Sequence, residues 1–311
     1  MIPPDAVIHG LRTVRQAARA ARAGGSPIEA ARFPRRAVLE AAIADLAAAL
    51  YPRRIGGFAG EADAEDRFVA DVLARALAAI GDEVDHELHY WAAEARAPFD
   101  EDQARTIVRL FAATLPDIRR LIDSDIDAAF LGDPAARSVD EILVCYPGAI
   151  AALHHRIAHQ LHQLGAVVTA RIVSEIANER TGIDIHPGAT IGPAFFIDHG
   201  TGVVIGETAI VGARVRLYQH VTLGARSPLG SAHPSVVERH ARHPIVGDDV
   251  VVYAGATILG RVNIGHGATI GGNVWLLSDV PAGAVIVQPE ARALPADAAS
   301  DLRETLTHAG A

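Results

Sequence analysis

Two places in the sequence carry side chains that can move a proton or hold a small charged molecule. The first is Asp198-His199, preceded by Phe195-Phe196 and followed by Gly200-Thr-Gly202, with Asp184 fifteen residues before the histidine. A carboxylate that accepts from one imidazole nitrogen leaves the other free as a base and stabilises the imidazolium once it forms. Deprotonating a hydroxyl needs such a base. The second is the segment between Leu223 and Val246, which holds Arg226, His233, Arg239, His240, Arg242 and His243. A guanidinium such as that of Arg242 can hold a carboxylate through two parallel hydrogen bonds. The bland readings, a corner histidine beside a surface aspartate and a solvated basic loop, use the same residues, and spacing alone does not choose between them.

Other candidates carry less. Fifteen histidines raise the question of a metal, with His186, His199, His220 and His266 as the ligands to consider. None of them forms a pair at short ligand spacing, and no metal is expected. Asp123-Ser-Asp125-Ile-Asp127 starts like a calcium loop, but Ala128 and Pro134 stand where that loop needs Gly and Glu; a solvated acidic helix segment is expected. The single cysteine, Cys145, lies in the apolar run Ile142-Leu-Val-Cys-Tyr. Burial there raises a thiol pKa and silences it, so a structural cysteine is expected.

The elements that position these residues follow from a period of six. Ile185-His-Pro-Gly-Ala-Thr is followed by Ile191-Gly-Pro-Ala-Phe-Phe and Ile197-Asp-His-Gly-Thr-Gly. After a two-residue slip the anchors are Ile205, Val211, Leu217 and Leu223, and after an interruption they are Val246, Val252, Ile258, Ile264, Ile270 and Leu276. A fixed hexapeptide period over so many units is the signature of a parallel β-helix. Six residues supply one short strand and one corner, so three hexapeptides make a coil of eighteen, and stacked coils share one column of aliphatic anchors. Sandwich strands would alternate with period two instead. On a coil of eighteen, Asp184 and His199 can lie close on adjacent coils. The interruption is seventeen residues longer than the six the period requires, and a long loop thrown out from a rigid prism is a usual place for substrate contacts.

The chain of 311 residues has room for two domains. Residues 1–180 read as helices: a run from Val14, another from Pro34 to Leu46, an amphipathic stretch over 64–80, two helices at 101–115 and 116–130, and two more at 148–164 and 166–180. The prism occupies 181–285 with its extended loop at 226–244. A C-terminal tail follows at 286–311, with a short helix at 297–306. The fold class is thus α+β, a helical N-terminal domain followed by the prism. A net charge of -9 argues against a nucleic-acid partner. The sequence has no apolar run of about 18 residues, no signal-peptide pattern and one cysteine, so a cytoplasmic protein is expected.

Several strings are more specific than the period. Asp184-Ile-His-Pro-Gly-Ala, Ile197-Asp-His-Gly-Thr-Gly-Val-Val-Ile-Gly-Glu-Thr-Ala, Gln219-His-Val-Thr-Leu-Gly, Arg242-His-Pro and Tyr253-Ala-Gly-Ala-Thr-Ile-Leu-Gly resemble the serine O-acetyltransferases. Asp133-Pro-Ala-Ala and His155-Arg-Ile-Ala-His extend the resemblance into the helical part, so that it covers about 120–285. It implies a left-handed parallel β-helix, a homotrimer through the prism or a dimer of trimers through the helical domains, and acetyl transfer from acetyl-CoA to the hydroxyl of L-serine. A sugar or other small-hydroxyl O-acetyltransferase on the same prism is the alternative. By resemblance His199 is the general base and Asp184 its orienting partner. Asp133, Asp198, Arg242 and His243 hold serine, with Glu207 near the site, and Gly224, Ala225, Ala254 and Gly272 line the pantetheine groove. The resemblance also implies inhibition by cysteine, which shares serine's ammonium and carboxylate. The chain departs from the family in its longer loop and longer helical N-terminus. It also ends His308-Ala-Gly-Ala311 where many members end in the Ile that docks into O-acetylserine sulfhydrylase, so that partner is not expected.

Overall fold

A computed structural model describes residues 4–22, 32–95, 100, 102–226 and 240–289. His233, Arg239 and the expected helix at 297–306 lie outside the described residues. Among those described, seven helices precede fourteen short strands. The helices are α1 (Pro4–Arg22), α2 (Arg36–Leu50), α3 (Ala62–Ala95), α4 (Gln103–Gly132), α5 (Val139–Cys145), α6 (Pro147–Gln163) and α7 (Val167–Thr181).

The strands stack in three parallel sheets, the three faces of a left-handed β-helix. The first face holds β1 (Asp184–Ile185), β4 (Val204–Ile205), β7 (Thr222–Gly224), β10 (Thr257–Leu259) and β13 (Trp275–Leu276). The second holds β2 (Thr190–Ile191), β5 (Ile210–Val211), β8 (Ile245–Val246) and β11 (Asn263–Ile264). The third holds β3 (Phe196–Ile197), β6 (Arg216–Leu217), β9 (Val251–Val252), β12 (Thr269–Ile270) and β14 (Val285–Ile286). Each aliphatic anchor of the six-residue period, from Ile185 to Leu276, is buried in one column. Ala189, Val203, Ala209, Val215, Val221 and Ala256, four residues after an anchor or at the equivalent corner, fill the space between. A flat face of two or three residues has room for no more, so large side chains stay off the inside.

The helical layer caps the prism at its first coil. Helix α7 ends on Gly182, whose φ of 69° is a left-handed cap, and β1 follows at once. Phe196 points out of the third face into the helical core. The firmest tie is ionic. Asp125 of α4 and Arg156 of α6 are both buried; Arg156 donates to Asp125 at 3.0 and 3.1 Å, to the Gly192 carbonyl at 2.6 Å and to the Ile191 carbonyl. Asp125 also accepts the Phe195 N–H at 2.8 Å. Burial pushes the Asp125 carboxyl up, and the Arg156 charge and these hydrogen bonds oppose that. The acidic run is therefore not simply solvated, since its middle carboxylate docks the helices onto the prism.

Two other expectations change. The helices expected at 101–115 and 116–130 are one helix, α4, with Pro116 inside it. Proline removes one backbone bond and crowds the preceding turn. The helix runs on because Phe111, Leu115, Ile118 and Ile122 form one buried stripe across the break. Cys145 is exposed rather than buried. In the short helix α5, Ile142 and Leu143 take the inward positions, leaving Val144 and Cys145 outside. No helix among the described residues is long and apolar enough to cross a membrane.

Candidate active site

The two-residue slip becomes a long corner between the third face and the first. Residues stacked on β1 and β4 are twenty apart, Asp184 on Val204, whereas Ile205 and Leu223 are eighteen apart. The extra residues are absorbed where the backbone turns left-handed at His199 (φ 60°), Gly200 (φ 90°) and Gly202 (φ 77°). Gly202 has no alternative, because a Cβ there would lie 2.3 Å from the His220 ring on the next coil. A non-glycine residue in this region costs about 1–2 kcal/mol, and the prism accepts it at other corners too, at Ala194, Arg214, His220, Asp249 and Asn273. The result is an imidazole held out from the corner, its side chain 74% exposed.

Around His199 stand two carboxylates. Asp198 Oδ1 is 3.8 Å from His199 Nε2, and Asp198 Oδ2 accepts from Arg216 at 2.5 Å. Asp133, the residue that ends α4, accepts from the Tyr146 hydroxyl at 2.6 Å and from the Ala135 N–H at 2.8 Å. The Tyr146 bond, then the Ala135 bond, hold the Asp133 carboxyl below its ordinary value, helped by Arg216 and His199. The same contact raises the Tyr146 phenol to about 12. Sequence reasoning missed both Arg216 and Tyr146. Their only signal is a bulky charged or aromatic side chain on an outward position beside the two carboxylates.

A second cluster sits at the opposite edge of the first face, where the long loop returns. Glu207 accepts from Arg242 at 2.8 Å. Thr208 Oγ1 accepts from the N–H groups of Arg242 and His243 at 2.9 and 3.1 Å, and the Thr208 N–H donates to His243 Nδ1 at 3.1 Å. Arg261 donates to the carbonyls of Thr208 and His243 at 2.6 and 3.0 Å, clamping the loop end on the corner. The His243 ring lies against Gly206, where a Cβ would be 2.0 Å from the ring, so only glycine fits. Burial, then Arg242, lowers the His243 pKa. Thr208 and Arg261 were not anticipated from the sequence.

Asp184 opens β1 on the first face. Its ionic partner is Arg171 at 3.7 Å, and burial raises its carboxyl. No hydrogen bond or ion pair joins it to His199 within the chain. Of the four groove residues, Ala254 and Gly272 lie together at the corner that His199 also occupies on its own coil, where the Asn273 N–H donates to the Ala254 carbonyl at 2.8 Å. Gly224 closes β7 at the other edge of the first face, followed by Ala225. His186 lies beside the second cluster, where burial lowers its pKa to about 4. Among the described residues no group of three or more His, Cys, Asp or Glu is placed to hold a metal.

The chain therefore offers an exposed imidazole beside a carboxylate pair at one corner and an arginine–histidine pair at the next. No family model matches the chain. A plasmid-encoded serine acetyltransferase of Synechococcus elongatus is 47% identical over 267 residues, covering 84% of this chain and 83% of that protein. The structure of Entamoeba histolytica serine acetyltransferase 1 in complex with L-cysteine superposes with a TM-score of 0.70 at 36% identity, covering 80% of this chain and 86% of that one. Soybean serine acetyltransferase complexed with serine gives a TM-score of 0.53 at 30% identity, covering 80% of this chain and 96% of that one. The chain belongs to the serine acetyltransferase family.

Proposed function

We propose that the chain transfers the acetyl group of acetyl-CoA to the hydroxyl of L-serine, giving O-acetylserine for cysteine biosynthesis in the cytoplasm. The observation that carries this reading is the split of charge between two corners. Asp133 and Asp198 beside His199 suit an ammonium, and Arg242 beside His243 suits a carboxylate. Within one chain the clusters stand at opposite edges of the first face, roughly 10 Å apart for a strand of about three residues. One serine does not span that gap. The site is completed between chains of a homotrimer, the His199 corner of one facing the Arg242 corner of its neighbour.

In that site the serine hydroxyl attacks the thioester carbonyl as its proton passes to His199. Asp198 and Asp133 hold the ammonium, Arg242 the carboxylate, with His243 and Glu207 fixing the Arg242 side. The tetrahedral oxyanion is met by a backbone N–H at Gly224–Ala225, and Ala254 and Gly272 leave room for the pantetheine arm. Collapse expels the CoA thiolate, which takes the proton from the His199 imidazolium. Asp184 orients the His199 imidazole in this reading, a role that replaces its contact with Arg171. Cysteine presents the same ammonium and carboxylate and competes with serine for these groups.

The test is release of free thiol from acetyl-CoA with a panel of amino acids and sugars. Turnover with L-serine well above that with galactosides and other hydroxyl compounds is expected. Equal rates with serine and a galactoside would move the assignment to the general small-hydroxyl acetyltransferases.

A further inference from the structure

Arg216 is the arginine that pairs with Asp198 beside His199, and its setting is built rather than incidental. Its guanidinium lies 4.9 Å from the centre of the Phe196 ring and 4.7 Å from that of Tyr218. Tyr218 in turn stacks on Tyr253 with centroids 5.1 Å apart and planes 8° apart. This aromatic ladder runs up the third face and aims the guanidinium at Asp198 Oδ2. Cation–π contact of this kind suits arginine better than lysine.

The groups around His199 come from its own corner, from the helical layer and from the prism. Its own corner supplies Asp198, the end of α4 supplies Asp133, and the turn into α6 supplies Tyr146, with Glu141 of α5 close enough to act on that phenol. The prism supplies Arg216, Tyr218 and Tyr253. With the phenols neutral, the charged groups that the chain's own structure gathers in this cluster are two carboxylates, Asp133 and Asp198, and one guanidinium, Arg216. Their charge is -1, which matches one ammonium.

We propose that Arg216 is a positioning residue of the acetyl transfer: it cancels one of the two carboxylates beside His199, so the imidazole remains an unprotonated base while the site still attracts a single cation. This rests on the serine reading for the reaction, but the electrostatic part rests on the charges alone. Two uncompensated carboxylates would favour the imidazolium, and an imidazolium cannot accept the hydroxyl proton. Arg216 also fixes Asp198 in one orientation, so that the ammonium meets a preset acceptor.

The experiment has two readouts. The titration of His199 is followed by NMR of histidine-labelled protein, its signal identified by its loss in His199→Ala, and the pH dependence of kcat/KM for serine is recorded alongside. In Arg216→Gln the His199 midpoint should rise by about one pH unit, the lower end of the effect of a nearby charge. The acid limb of kcat/KM should rise with it, leaving activity near wild type only at high pH. Arg216→Lys should restore both, and adding Asp198→Asn to Arg216→Gln should return the midpoint without restoring serine affinity. Asp198→Asn alone, which leaves Arg216 unmatched, should lower the midpoint, and this reading needs no folded Arg216 variant. An unmoved midpoint in folded Arg216→Gln or in Asp198→Asn, or a loss of activity equal at every pH, overturns the proposal. If the wild-type chain does not acetylate serine, the reaction assignment fails while the titration still decides the electrostatic claim.

Discussion

His199→Ala should lower kcat/KM for serine by roughly 10²- to 10⁴-fold, the usual worth of a positioned general base. The fold should survive, because the side chain is mostly solvent-exposed and makes no hydrogen bond among the described residues. Truncation also leaves the left-handed corner as strained as before, since alanine gains nothing at a φ of 60°. The loss should therefore appear in turnover and not in the melting temperature. Thiol release at saturating acetyl-CoA, with thermal unfolding run alongside, checks both. Turnover within a few-fold of wild type would remove His199 from the chemistry.

The second large effect is on stability. Asp125→Ala strands the Arg156 guanidinium in the buried seam between the helices and the first coil, where only the carbonyls of Ile191 and Gly192 remain to it. Removing one partner of a buried ion pair costs about 3–5 kcal/mol, a large share of a domain's total stability. The Phe195 N–H loses its acceptor as well. Denaturant unfolding should show this loss, and pairing Asp125→Leu with Arg156→Met should recover most of it, because an apolar pair avoids the buried charge. A cost below about 1 kcal/mol for the single variant would mean that the seam is wetter than its burial indicates. The effect should reach function, since Asp133 ends the same helix that Asp125 anchors. Loosening that anchor should raise the KM for serine below the melting temperature.

The prism was legible because its signal is local and repeated: each anchor from Ile185 to Leu276 restates the same six-residue rule. His199 was legible as an exception to that rule. What the sequence hid is what depends on contact between distant segments. Asp125 meets Arg156 thirty-one residues away and Phe195 seventy residues away, and nothing near it in the chain separates it from a solvated acidic turn. Cys145 was misread because an apolar run of four residues does not say which two face inward on a single helical turn. Thr208 and Arg261 hold the returning loop through backbone groups, and backbone contacts leave little trace in residue type.

The central claim, that a serine is held between the His199 corner of one chain and the Arg242 corner of its neighbour, is tested most directly by mixing two inactive variants. His199→Ala and Arg242→Ala chains, each assayed alone by thiol release with serine and acetyl-CoA, should be nearly silent. Refolded together in equal amounts, they form trimers in which some neighbouring pairs bring an intact His199 to an intact Arg242. Activity should return to about a quarter of wild type if chains mix at random around a closed ring. Mixed trimers that stay as silent as either parent would show that both residues must come from the same chain, and would contradict the shared site.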